Sequence, residues 1–198
     1  MLFCTSGKAI RFAEDDVRKM GRTARGVRGI KVGEGHKVNS MIICDANDQE
    51  SAVLTVTENG FGKRTLLSEY NTQGRGGQGV ISIQTNERNG NSVGAVLVEE
   101  SDEVMLITNG GTLVRTKVAE VSVIGRNTQG VKVIGVSKGE HLISVEKVDE
   151  SEEEEVDSIE GSESAEDSLS VEGSSSAEGS QPAEGSESEE SSDGDDET

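Results

Sequence analysis

Apolar residues along this chain fall in short, β-branched runs separated by Gly, Asn, Asp and Ser. Residues 52–57, 63–67, 80–84 and 93–98 form one set of four such runs, and residues 41–44, 104–108, 131–136 and 142–145 continue the pattern on either side. Runs of this length and composition predict strands. Glu58-Asn59-Gly60 and Asn89-Gly90-Asn91 supply turns suited to positive φ. A sustained helical period is absent, and residues 14–20 are expected to form one helical turn at most.

The runs are organised by a repeat. Gly7, Arg11, Gly21, Arg22, Gly26, Val27 and Ile30 recur as Gly60, Arg64, Gly74, Arg75, Gly79, Val80 and Ile83, and again as Gly111, Arg115, Gly125, Arg126, Gly130, Val131 and Ile134. The internal offsets never slip, although the two periods are 53 and 51 residues. A fixed period of this size marks a repeat architecture. The expectation is an all-β fold: a partial β-propeller of about three four-stranded blades spanning about 1–50, 51–102 and 103–148. In that register Met1-Leu2-Phe3 lies opposite Leu54-Thr55-Val56 and Met105-Leu106-Ile107, so the chain is expected to open inside a strand, as a piece of a longer protein.

Charge divides the chain sharply. Residues 149–198 carry 21 of the 38 acidic side chains, 14 Ser and no Lys or Arg, a composition expected to stay disordered. Residues 1–148 then hold 17 acidic and all 19 basic side chains, a formal charge of +2. The overall charge of −19 therefore does not argue against a polyanionic partner. No apolar run approaches a membrane span, and the N-terminus lacks a signal-peptide pattern. Cys4, Cys44, His36 and His141 show no metal-ligand spacing, and the two cysteines are expected to be free thiols.

Particular stretches resemble the C-terminal domain of bacterial DNA gyrase A. They are Gly26-Val27-Arg28-Gly29-Ile30, Asn59 through Thr65, Gly79 through Ile83, Thr112-Leu113-Val114-Arg115-Thr116 and Gly125 through Val131, followed by the acidic Ser-rich end. The resemblance covers residues 1–148 and implies the last three blades of a six-bladed β-pinwheel. In that family duplex DNA wraps around the outer rim, and the whole enzyme, an A2B2 complex with gyrase B in the bacterial cytoplasm and nucleoid, uses ATP and Mg bound elsewhere to introduce negative supercoils. The family's signature heptapeptide, Gln-Arg-Arg-Gly-Gly-Lys-Gly, has only a degenerate counterpart here, Gln73-Gly74-Arg75-Gly76-Gly77-Gln78-Gly79. Two alternatives stand beside this reading: the related domain of topoisomerase IV, and a propeller-like module that binds acidic proteins.

Wrapping duplex without reading its sequence calls for cations along a curved surface. The repeat offers two rows, Arg11, Arg64, Arg115 and Arg22, Arg75, Arg126, thickened by Arg25, Arg28, Lys31, Lys63, Lys117 and Lys132. An arginine repeated in every blade can equally brace neighbouring strands, and the Arg11 row is open to both readings. The Arg22 row lies in Gly-rich sequence and is expected to contact phosphate. The first 37 residues hold nine basic and four acidic side chains, so the strongest field is expected on the first repeat. One tyrosine and three phenylalanines are too few for single-strand stacking.

No catalytic group is expected in this chain. Tyr70, the single tyrosine, aligns with Val17 and Val121 and reads as a packing residue. Gly74-x-Gly76-x-x-Gly79 mimics a dinucleotide fingerprint, but a strand follows where a helix is needed. No Gly-Lys-Ser/Thr phosphate loop is present, so no cofactor is expected. The acidic tail is expected to rival DNA for the basic rim.

Overall fold

A computed structural model describes residues 1–48 and 50–148; the acidic segment 149–198 lies outside the described residues. Eleven strands account for the regular structure: β1 Leu2–Cys4, β2 Lys8–Ile10, β3 Val38–Met41, β4 Ala52–Thr57, β5 Phe61–Leu66, β6 Val80–Ile81, β7 Ser92–Val98, β8 Glu103–Thr108, β9 Leu113–Lys117, β10 Val131–Lys132 and β11 Leu142–Val148. Three single 3-10 turns, Glu14–Asp16, Leu67–Glu69 and Val118–Glu120, sit at equivalent positions of the three repeats. No helix among the described residues is long and apolar enough to cross a membrane.

The sheets do not coincide with the sequence repeats. Their orders are β3-β1-β2-β6, β10-β5-β4-β7 and β11-β8-β9. β6 belongs to the second repeat by sequence, yet it pairs antiparallel with β2 of the first, Val80 opposite Ala9. β10 of the third repeat pairs with β5 of the second in the same way, Val131 opposite Gly62. The second and third repeats thus each lend a short strand to the sheet before, which interlocks neighbouring repeats. The third sheet has three strands, not the expected four.

Local chemistry explains the exchange. Gly79 (φ 68°) and Gly130 (φ 79°) turn the chain onto the preceding sheet so closely that a Cβ would stand 2.3 Å from the Ala9 carbonyl oxygen and 2.7 Å from that of Gly62. Only glycine fits both the left-handed backbone and the contact. The lent strands are shorter than the expected 80–84 and 131–136 because the chain then bends away. The amides of Ser82 and Ile83 both donate to the Gly7 carbonyl (2.8 and 3.0 Å), and those of Val133 and Ile134 repeat this on Gly60 (2.9 and 3.1 Å). β3 falls earlier than the expected 41–44, and its ladder with β1 ends as the Ile42 amide reaches the Met1 carbonyl at 3.0 Å.

Two apolar layers separate the three sheets. Phe3, Ala9, Ile42, Val53, Leu67, Tyr70 and Ala95 fill the space between the first and second. Leu54, Val56, Val104, Leu106, Val118, Leu142 and Val145 fill that between the second and third. β4 is covered on both faces, and all six of its residues are buried. β8 shows the alternation of a strand covered on one face only. Tyr70 is 1% exposed, packs edge-on to Phe3 at 6.2 Å and shares a hydrogen bond with Ser82 Oγ at 2.8 Å. Burial raises its pKa, which suits a packing residue and not a nucleophile.

Candidate nucleic-acid interface

Four of the six repeated arginines, Arg11, Arg64, Arg75 and Arg126, donate to backbone carbonyls. From the end of β2, Arg11 donates through Nη1 to the carbonyls of Leu67 and Tyr70 (3.2 and 3.4 Å) and through Nη2 to those of Asp45 and Ala46 (3.2 and 3.3 Å). Arg64, only 7% exposed, makes the same clasp one repeat on: Nε to Val121 at 2.6 Å and Nη2 to Ala119 at 3.4 Å. Both arginines donate to carbonyls of the following repeat's 3-10 turn and of the residue after it, and so tie that turn to the repeat before. Arg115 instead pairs with Glu103 across β8 and β9. These contacts give Arg11 and Arg64 the bracing role, one of the two readings open for their row.

The second row braces in the opposite direction. Arg75 Nη1 donates to the Arg28 carbonyl at 3.1 Å and Nε to that of Asp16 at 2.8 Å. Arg126 Nη1 donates to Ile81, the equivalent of Arg28, at 3.3 Å, and its guanidinium lies 6.0 Å from the Tyr70 ring. The expected phosphate role of Arg75 and Arg126 is thus shared with, or replaced by, a backbone clasp onto the repeat before. Arg22, the first of the row, is exposed and makes no side-chain hydrogen bond or ion pair among the described residues.

Lys63 is buried to 0% exposure. It stands where the other repeats place Ile10 and Val114, in the face of the sheet that packs against its neighbour. Its Nζ donates to the carbonyls of Gly125 (2.6 Å) and Arg126. Desolvation brings its pKa down to about 8. It holds the 125–126 loop from beneath and is not a rim cation, which corrects its place in the band. Lys117 and Lys132 are exposed at the strands β9 and β10.

One group of cations remains, and it is contiguous. Between Asp16 and Glu34 the chain carries Arg18, Lys19, Arg22, Arg25, Arg28 and Lys31 with no acidic residue, and all six are exposed. The equivalent stretches carry only Arg75, and only Arg126 and Lys132. The segment forms no strand or helix, yet its backbone is tied down. The Gly76 amide donates to the Gly29 carbonyl (2.5 Å) and the Lys31 amide to Gly77 (2.7 Å), while Arg75 grips both Asp16 and Arg28. A tethered backbone that presents six exposed cationic side chains can follow a line of phosphates without ordering cost in the main chain. Arg18 and Lys19 fall outside the repeat pattern, which therefore does not single them out; the excess of nine basic over four acidic residues in the first 37 is their signal. No cluster of metal-ligating side chains occurs among the described residues.

Comparison with known proteins places this geometry. The DNA gyrase C-terminal domain, beta-propeller family model matches residues 1–45, 52–98 and 102–149. The DNA gyrase A protein of Salmonella typhimurium is 55% identical over 163 residues, 82% of this chain and 18% of that protein; that of Escherichia coli K12 is 50% identical over the same length and shares. The chain thus spans about a fifth of the length of these relatives. A solved DNA gyrase A C-terminal domain superposes with a TM-score of 0.65 at 31% identity, covering 74% of this chain and 49% of that one. The C-terminal domain of DNA topoisomerase IV superposes with a TM-score of 0.70 at 25% identity, covering 82% and 51%. Similarity to the two structures is comparable, but the family model and the gyrase A sequences fall on one side, and the chain belongs to the DNA gyrase C-terminal domain family.

Proposed function

We propose that this chain binds and wraps duplex DNA as the C-terminal part of DNA gyrase A, working with the rest of gyrase A and with gyrase B in an ATP-dependent topoisomerase of the bacterial cytoplasm and nucleoid. The observation that carries the reading is the segment between Asp16 and Glu34, six exposed cations with no carboxylate among them. Its contacts are to phosphate, whose line of charge a row of exposed cations follows without reading bases. The exposed Lys117 and Lys132 extend the path along the later repeats. Chemistry and ATP turnover belong to other parts of the enzyme, and the tail 149–198 competes with DNA for the basic segment.

Relaxed circular DNA closed by a ligase in the presence of the chain tests this directly. Positively supercoiled product at moderate salt is expected, and removal of residues 149–198 should increase it. A chain that retains acidic proteins but neither shifts circle topology nor binds duplex would favour a protein-interaction module instead.

A further inference from the structure

Asn59, Asn89 and Asn109 are each followed directly by glycine, whereas every other asparagine precedes a residue with a side chain. An Asn-Gly step holds an electrophile and a nucleophile side by side, because no Cβ keeps the glycine nitrogen from the asparagine side-chain carbon. Reaction between them depends on what else engages the two groups, and the fold treats the three steps differently.

Two of the steps are locked. The Gly60 amide donates to the Thr57 carbonyl at 3.0 Å, and the Gly90 amide to that of Asn86 at 2.8 Å. Asn59 Nδ2 donates to the carbonyls of Glu87 and Arg88 (3.3 and 3.0 Å). Asn89, 0% exposed, donates through Nδ2 to those of Gln84 and Gln129 (2.7 and 3.1 Å). Nucleophile and leaving group are thus both held. Asn109 differs on every count. It lies with Gly110 in the turn between β8 and β9, and both residues are exposed. Neither the Gly110 amide nor Asn109 Nδ2 makes a hydrogen bond among the described residues. The side chain is engaged at Oδ1, to which the His141 amide donates at 2.8 Å. A donor on that oxygen draws charge from Cγ and stabilises the oxyanion that attack creates.

This freedom does not rest on an open junction. At both internal junctions the following repeat hydrogen-bonds to carbonyls of the corresponding turn. The Ser92 amide donates to Thr5 and the Ser82 and Ile83 amides to Gly7; the Leu142 amide donates to Glu58 and the Val133 and Ile134 amides to Gly60. A repeat packed in the same way on the third sheet would take the carbonyls of Asn109 and Gly111, and would leave the Gly110 nitrogen and the Asn109 side chain as they are.

We infer that Asn109 is a site of spontaneous covalent modification. The Gly110 nitrogen bonds to Asn109 Cγ, the Cγ–Nδ2 bond breaks, and Nδ2 leaves as ammonia with the proton that Gly110 gives up, closing a succinimide ring. Water then opens the ring at either of its carbonyls. The product is aspartate, or isoaspartate in which the main chain runs through Cβ and Cγ. No oxidant, reductant or enzyme enters the balance. Either product sets a carboxylate beside Glu140, against which Gly110 packs. Isoaspartate also lengthens the turn, so that the Gly111 amide loses the Thr108 carbonyl it now holds at 3.1 Å.

The test uses the full 198-residue chain, kept folded at mildly alkaline pH in heavy-oxygen water and mapped by peptide mass spectrometry. An isoaspartyl methyltransferase serves as the probe for isoaspartate. Acid carrying solvent oxygen should form at Asn109 about tenfold faster or more than at Asn59 and Asn89, a difference of about 1.4 kcal/mol in barrier. In urea, which frees all three steps, the rates should converge. Comparable rates at the three positions in the folded chain would overturn the inference. So would a preference for Asn109 that persists undiminished in urea, since local sequence and not the fold would then set it.

Discussion

Residues 17–33 and their equivalents 70–86 and 121–137 share glycines, a lent-strand sequence and a leading arginine, but they differ in charge. The first stretch carries six cations, the second one and the third two. What they have in common builds the junctions in the second and third: Gly79 and Gly130 turn the chain onto the preceding sheet, and Arg75 and Arg126 clasp the repeat before. What distinguishes the first stretch is Arg18, Lys19, Arg25, Arg28 and Lys31, whose side chains face solvent without a partner among the described residues. Packing thus uses the periodic Arg75 and Arg126, while most of the charge of the first stretch lies outside the period.

The largest expected effect that could break this comparison is on stability. Arg64→Ala removes a buried guanidinium and leaves the Val121 and Ala119 carbonyls without their donor. A loss of about 2–4 kcal/mol is expected in urea unfolding, since each charged hydrogen bond is worth roughly 1.5–3 kcal/mol and carbonyls are orphaned. Its affinity for duplex, measured under folding conditions, should change little. Equal losses of affinity and stability would return the Arg11 row to the rim.

A smaller effect sharpens the role of Arg75, which grips the basic segment at Asp16 and Arg28. Arg75→Gln should cost about 1 kcal/mol of stability, the ordinary worth of exposed hydrogen bonds. It should also speed amide exchange at Gly76 and Lys31, whose bonds tie the segment to its neighbour. Unchanged exchange would mean that the segment is held without it.

A third effect is a pH dependence. The folded pKa of Lys63, about 8, lies below that of an unfolded lysine, so between about 8 and 10.4 the unfolded chain binds more protons and folding stability rises with pH. Lys63→Met puts an apolar side chain where Ile10 and Val114 stand, and should remove that rise from stability measured across this window. An identical pH profile in the two proteins would place the lysine in water.

Much of the fold was legible in advance because strands and turns are local. β4 spans residues 52–57 as its β-branched run predicts, and Tyr70 lies in the core where its alignment with Val17 and Val121 puts it. Strand lending was not legible, because pairing between Val80 and Ala9 is a property of two distant segments and not of either run. The arginine rows were legible as rows but not as contacts, since a carbonyl and a phosphate both attract a guanidinium. Lys63 carried an unread signal: its register partners Ile10 and Val114 are apolar, and a cation in that column has to be buried.

The central claim, that the basic segment between Asp16 and Glu34 and not the backbone-clasping arginines Arg11, Arg64, Arg75 and Arg126 meets phosphate, is tested most directly by salt. The affinity of the full chain for a duplex is measured across a series of salt concentrations, beside a variant carrying Arg22→Gln, Arg25→Gln, Arg28→Gln and Lys31→Gln. With about 0.9 counterion released per phosphate contact, six contacts give a log–log slope near −5, and loss of four should bring it to about −2. Thermal stability should be unaltered, because none of the four side chains has a partner among the described residues. A slope that stays near its original value while the variant remains folded would contradict the account.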